Sequence, residues 1–247
     1  MDLKIAGRKA IVCASSEGLG FACARALAEA GCEVVMNGRR AEKLEAAATE
    51  LRQRTGALVR TVVADVATDA GRDALLAACP EPDILVTNSG GPPKKDFREL
   101  TRADWEAALN TNMLAAVALI TRTVDGMMAR NFGRIVNITS MTSVRPVVNL
   151  DLSNATRLGL SGFVAGVSRQ VAGRNVAINN LLPGSFATAR AQALAADLEA
   201  VSRSVPAGRM GDPDEFGDAC AFLCGASAGY IVGQNILIDG GFCMNAL

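Results

Sequence analysis

The chain has 247 residues, half of them hydrophobic, enough to build one large core, and its length and pattern predict a single domain over 1–247. Twenty-five basic and twenty-five acidic residues leave a formal net charge of zero with no basic stripe, which argues against a nucleic-acid partner. No histidine occurs, so a histidine base, a Ser–His triad and a histidine-based metal site are excluded, and no metal is expected.

The N-terminus carries Asp2 and Lys4 and lacks the apolar stretch of a signal peptide. No apolar run reaches the ~18 residues of a membrane span, and the longest, near 113–120, is too short. A cytoplasmic protein without a membrane partner is expected. Seven cysteines, an odd number without CxxC, read as buried small hydrophobes in a reducing compartment.

Along the chain, β-branched runs at 10–13, 33–36, 58–63, 84–87, 134–139, 176–181 and 235–238 alternate with helix-like stretches. Those stretches lie near 18–30, 41–54, 69–79, 102–131, 153–173 and 213–225. This alternation predicts βαβ units with right-handed crossovers. The expected fold is α/β, a doubly wound seven-stranded parallel sheet of the Rossmann type. The irregular stretch 183–211 breaks the rhythm and is placed where such folds cover a ligand.

The first strand runs into Ala14-Ser15-Ser16-Glu17-Gly18-Leu19-Gly20, and a helix follows. Gly18 and Gly20 let backbone approach a pyrophosphate at a helix N-terminus, and Ser15 or Ser16 could cap the helix or touch phosphate. The placement between strand and helix makes this a dinucleotide-site signal rather than a bare turn. The second strand ends in Asn37-Gly38-Arg39-Arg40, without the carboxylate that would select NAD. Two guanidiniums suit a 2′-phosphate, so NADP(H) is the expected cofactor.

The ordered motifs resemble those of the short-chain dehydrogenase/reductase superfamily, nearest to 3-oxoacyl-carrier-protein reductase-like members. The resemblance covers nearly the whole chain. It implies that Asp65 and Val66 contact adenine, that Asn88-Ser89-Gly90 follows the fourth strand under the cofactor, and that Pro183, Gly184 and Thr188 flank the nicotinamide carboxamide. Arg209-Met210-Gly211 and Asp239-Gly240-Gly241 match further landmarks. The family's first glycine is Ala14 here, which fits if its φ stays negative. Thr87 and Ser89 stand where the family has Asn and Ala.

The family's catalytic set is Asn, Ser, Tyr and Lys. Asn112 and Ser140 match the first two. Thirteen residues after Ser140, and four further on, stand Ser153 and Arg157 instead of Tyr and Lys. The i, i+4 spacing keeps these two on one helix face. Arg157 could hold ribose hydroxyls but is no acid. The one tyrosine, Tyr230, lies before the last strand and cannot substitute. The expectation is an NADP(H)-dependent oxidoreductase of a small carbonyl/alcohol pair with an atypical site. Alternatives are a non-catalytic dinucleotide-binding protein, or a non-redox enzyme reusing the pocket. Asp151 is a further candidate acid, and Lys94 or Lys95 could contact an anion. Segments 143–150 and 185–206, including Arg145 and Arg190, are expected to shape the substrate pocket. Small residues at Ala155, Gly159, Gly162 and Gly166 permit close approach of the sheet or of another subunit. The resemblance implies a homo-oligomer, tetramer or dimer.

Overall fold

Seven strands form one parallel sheet: β1 (Lys9–Val12), β2 (Glu33–Gly38), β3 (Val59–Val63), β4 (Ile84–Thr87), β5 (Gly133–Ile138), β6 (Val176–Pro183) and β7 (Asn235–Ile238). Their order is β3-β2-β1-β4-β5-β6-β7. The computed structural model describes residues 2–194 and 197–243, without the side chains of Arg190, Ala193 and Leu194. The helices are α1 (Gly18–Glu29), α2 (Ala41–Thr55), α3 (Asp69–Ala78), α4 (Arg102–Leu109), α5 (Ala115–Ala129), α6 (Asp151–Val171), α7 (Ala189–Leu194), α8 (Leu198–Ser204) and α9 (Pro213–Cys224). The order reverses between β1 and β4, which opens a crevice beyond the carboxyl ends of those strands, where ligands of such sheets bind.

Strand alternation divides the core in two. Ala10 and Val12 join a cluster with Leu27 of α1, Leu44 and Leu51 of α2, and Phe216 of α9. Ile11 points the other way, among Leu75 of α3, Leu119 and Ile120 of α5, and Leu160 and Val164 of α6. Helices therefore cover both faces, as the near-continuous apolar runs of the strands require.

Most element bounds fall within a residue or two of the sequence expectation. Helix α6 begins at Asp151, two residues early, and α7 and α8 lie in the stretch expected to be irregular. The segment expected as one helix over 102–131 is divided by a π-helical turn at Asn110–Leu114. As a 28-residue run, Arg102–Ala129 is long and apolar enough to cross a membrane, contrary to the sequence reading. Its apolar face instead packs Leu119, Ile120 and Met127 into the core, so it is a core helix.

A hydrogen-bonded ladder of side chains crosses four strands. Thr87 Oγ1 donates to Asn137 Oδ1 at 2.6 Å. Asn137 Nδ2 donates to Asn180 Oδ1 at 2.9 Å, and Asn180 Nδ2 to Asn235 Oδ1 at 2.7 Å. Each pair is in direct register across adjacent strands. Asn137 is fully buried, so its amide would be costly if left unpaired. Thr87 thus has its hydroxyl engaged inside the sheet.

Replacing Asn137 with Ala removes an acceptor and a donor at once. Asn137→Ala should lower stability by about 3 kcal/mol and the midpoint of thermal unfolding by roughly 6–12 °C. Circular dichroism melts of both proteins measure this, and a shift under about 2 °C would show that the ladder carries little stability.

Candidate active site

The glycine loop joins β1 to α1 in the crevice. Gly18 has φ +59, and a Cβ on Gly20 would lie 2.3 Å from the Ala14 carbonyl oxygen and 2.8 Å from Asn88 Nδ2. A side chain at Gly20 would displace backbone, and one at Gly18 would be strained by its positive φ. Asn88 Nδ2 donates to Ala14 O at 3.2 Å, tying the end of β4 to the loop. Ala14 has φ +45, so the expected negative φ is not found there. An L-residue in that conformation is strained, and it is held there by Asn88 and by Asn37, whose Oδ1 accepts from Ala14 N at 3.3 Å. Asn37 also donates to the carbonyls of Val62 and Ala64, joining the ends of β1, β2 and β3. Nothing in the sequence motif singled it out.

The serines behave differently from expectation. Ser15 is fully buried and donates to Val12 O at 2.8 Å while accepting from Asn37 N. Glu17, not a serine, is the N-cap of α1, and it makes no side-chain cap bond. Neither serine therefore caps the helix, and the Ser15 hydroxyl is spent inside the loop. Ser16 lies beside Gly38, and Leu19 in the first turn of α1 packs partly against the core.

Arg39 and Arg40 are largely exposed at the end of β2. Arg39 Nη1 lies 3.9 Å from Asp65 Oδ2. Asp65 Oδ1 accepts from Ala67 N, while Val66 is buried and its carbonyl accepts from Arg72. Pro183 ends β6, and Gly184 N donates to Ile238 O of β7. Thr188 then turns back over the glycine loop, its methyl 3.6 Å from where a Cβ of Gly18 would sit. Phe186 anchors this return by an edge-on contact with Phe216, centroids 5.3 Å apart.

The cluster beside the crevice brings together the residues of the expected catalytic set. Asn112 sits in the π-helical turn and is buried, with Nδ2 donating to Ala108 O. Its Oδ1 accepts from Ser89 Oγ at 3.2 Å and from Arg157 Nη2 at 3.4 Å. Arg157 Nη1 also donates to Ile138 O at 3.0 Å. Ser89 and Arg157 thus converge on one oxygen. Ser140 follows β5, and its Oγ accepts from Thr142 N at 3.2 Å. The Thr142 hydroxyl lies 3.2 Å from Ser153 Oγ. Thr142, which no sequence motif marks, therefore links the two serines. Ser153 and Arg157 are both buried, facing inward from successive turns of α6.

A small cavity of about 10 Å3, the size of one water, lies beneath the cluster among Cys13, Asn88, Ser89, Asn112 and Leu160. Burial pushes the Cys13 thiol up to about 12, which keeps it a protonated, unreactive thiol. Asp151 sits in the first turn of α6, where the positive end of the helix favours it. Lys95 Nζ pairs with Asp104 Oδ2 at 3.0 Å, and its backbone N–H donates to Asn149 O, joining the loop after β4 to the 143–150 segment. Lys94 is exposed. Arg145 donates to Phe242 O at 2.8 Å and stacks on its ring, while the Arg190 side chain lies outside the described residues. Tyr230 is wholly exposed before β7.

A family model described as Enoyl-(Acyl carrier protein) reductase matches residues 13–243. The chain is 30% identical over 246 residues to the 3-oxoacyl-[acyl-carrier-protein] reductase FabG of Aquifex aeolicus, covering 98% of this chain and 99% of that protein. It is 34% identical to the acetoacetyl-CoA reductase of Allochromatium vinosum, covering 96% of this chain and 99% of that one. Its fold superposes on L-sorbose reductase from Gluconobacter frateurii, solved with NADPH and L-sorbose, with a TM-score of 0.93 at 30% identity, covering 99% and 100% of the two chains. The family match and these relatives make it a nicotinamide-dinucleotide-dependent oxidoreductase of carbonyl and alcohol substrates. The chain belongs to the short-chain dehydrogenase/reductase superfamily and is related to its FabG-like reductases.

Strain at Ala14 is open to a direct measurement. An L-residue in the left-handed region costs about 1–2 kcal/mol, and glycine gives back roughly half of that in unfolded-state entropy. Ala14→Gly should therefore stabilise the protein by up to about 1 kcal/mol in urea unfolding. Destabilisation would mean that the alanine methyl contributes packing that outweighs the strain.

Proposed function

We propose that this protein is an NADP(H)-dependent reductase of a small carbonyl compound, working with Ser140, Ser153 and Arg157 where relatives use Ser, Tyr and Lys. The observation that carries this reading is the buried cluster itself. Ser153 and Arg157 reach the same cluster as Asn112 and Ser140, and hydrogen bonds hold each of them in place.

The cradle fits a dinucleotide. Gly18, Gly20 and Asn88 would let the diphosphate lie against the N-terminus of α1, with Ala14, Ser15, Ser16 and Leu19 forming the rest of the loop. Asp65 and Val66 would flank adenine, and Ser89 and Gly90 would lie under the nicotinamide half. Pro183, Gly184 and Thr188 would line its carboxamide. Arg39 and Arg40 would take the 2′-phosphate. NADPH accompanies L-sorbose in the Gluconobacter frateurii structure, which supports this choice. When bound, the nicotinamide supplies the hydride.

The chain's own residues would do the rest. Ser140 and Ser153 would donate hydrogen bonds to the substrate oxygen as negative charge grows on it. Arg157 would lend positive charge nearby while fixing Asn112 and the end of β5. A serine hydroxyl is a far weaker acid than a phenol, and arginine keeps its proton. The proton would therefore come from water, with Ser153 and Thr142 as a hydroxyl pair through which it could pass. A missing positioned acid costs about 10² to 10⁴ in rate, so an activated ketone or a quinone is the favoured substrate class. The unit is proposed to be the whole 1–247 domain, acting in the cytoplasm as a homo-oligomer, tetramer or dimer. The small residues Ala155, Gly162 and Gly166 lie exposed on α6 beside exposed Leu158, which supports association through that face.

Calorimetric titration should show NADPH binding at least about tenfold more tightly than NADH, a difference of about 1.4 kcal/mol. Equal binding, or none, would remove the NADP(H) assignment. The double variant Ser153→Tyr, Arg157→Lys should raise kcat/KM for an activated ketone by about 10² or more. An unchanged rate would show that the missing acid is not what limits turnover.

A further inference from the structure

The cations at the adenosine end of the cradle already face an anion. Glu17 is the N-cap of α1, yet its carboxylate does not turn back to the helix's own N–H groups. It reaches across to the start of α2 instead. Oε1 accepts from Arg40 Nη2 at 3.1 Å, and Oε2 accepts from Lys43 Nζ. Arg40 is the N-cap of α2 and Lys43 lies in its first turn, so one helix end sets the spacing of both donors. Each carboxylate oxygen takes one cation, as two oxygens of a phosphomonoester would. Lys43 and Arg40 together hold the Glu17 carboxyl below the usual carboxylate range, so it stays an anion near neutral pH.

We propose that Glu17 is a built-in competitor for the 2′-phosphate of the cofactor, holding Arg40 and Lys43 until that phosphate displaces it. This rests on the NADP(H) reading above. Three cations, Arg39, Arg40 and Lys43, face two carboxylates, Glu17 and Asp65, which leaves a local charge of +1. A 2′-phosphate carries about −1.5 to −2 at neutral pH, so it overfills that charge unless Glu17 withdraws. NADH carries no such group and leaves the clamp in place. Glu17 thereby narrows the preference that the arginines create. These pairs are exposed to water, so the effect is modest, about three- to tenfold in affinity.

The test uses the full chain, wild type and Glu17→Gln, titrated with NADPH, NADH and 2′,5′-ADP. Thermal melts check that both proteins are folded. Glu17→Gln is expected to tighten NADPH and 2′,5′-ADP three- to tenfold and to move NADH less than twofold. Lys43→Met in the same assay should weaken NADPH and 2′,5′-ADP but not NADH. Unchanged or weaker NADPH binding in Glu17→Gln, or an equal change for NADH, overturns the competitor role. If the wild type binds NADPH and NADH alike, the cofactor reading falls and this inference with it. A wild type that prefers NADPH, paired with an unaltered Glu17→Gln, removes the Glu17 role alone.

Discussion

The amide ladder through Thr87, Asn137, Asn180 and Asn235 sets the register on which the site depends. Parallel pairing by backbone alone tolerates slippage, because its hydrogen bonds repeat evenly along the strand. A buried side-chain amide does not tolerate it, because a slip of one residue turns the amide to the opposite face and leaves it unpaired. Thr87 immediately precedes Asn88, and Asn88 holds Ala14. A polar chain that starts on the edge strand β7 thus ends one residue short of the glycine loop. On the far side, Asn37 does the same for β1, β2 and β3 with backbone partners.

The candidate cluster around Asn112 follows a similar logic, but with charge. Asn112 Oδ1 receives two donors, Ser89 and Arg157, so the orientation of its amide is fixed. A guanidinium offers five N–H groups in a rigid fork and spans from this oxygen to the end of β5. The cluster is therefore well ordered and rich in donors. The hydroxyls and amides that form it are poor acids, and the arginine does not release its proton. Such a site is suited to stabilising an oxyanion and is weak at delivering a proton.

Much of the fold was legible from β-branched runs and alanine-rich stretches, because a sheet buried on both faces demands continuous apolar strands. The placement of the candidate residues is legible where spacing carries meaning, as with Gly18, Gly20 and the Ser153/Arg157 pair on one face of α6. It is not legible where a partner comes from a distant strand. Nothing local marks Asn37 or Asn137 as ladder members, or Thr142 as the link between two serines. The backbone angle at Ala14 is not set locally, because Asn88 and Asn37, far along the chain, hold it. Ser15 looks like a cap by residue type, but β2 claims its hydroxyl first. The short helices α7 and α8 leave little periodic signal, because brief helices rely on tertiary contact more than on periodicity.

The π-helical turn at Asn110–Leu114 reaches beyond its own length. An α-helix advances about 100° per residue, so one residue accommodated in a wide turn rotates everything downstream by that amount. Leu119 and Ile120 meet the sheet only in the phase that the bulge imposes. Deleting one residue there would make the helix more regular while swinging its apolar stripe toward water. Helix α5 and the position of Asn112 are thus joined by geometry, and a length change at this turn cannot be absorbed locally, as it could be in a surface loop.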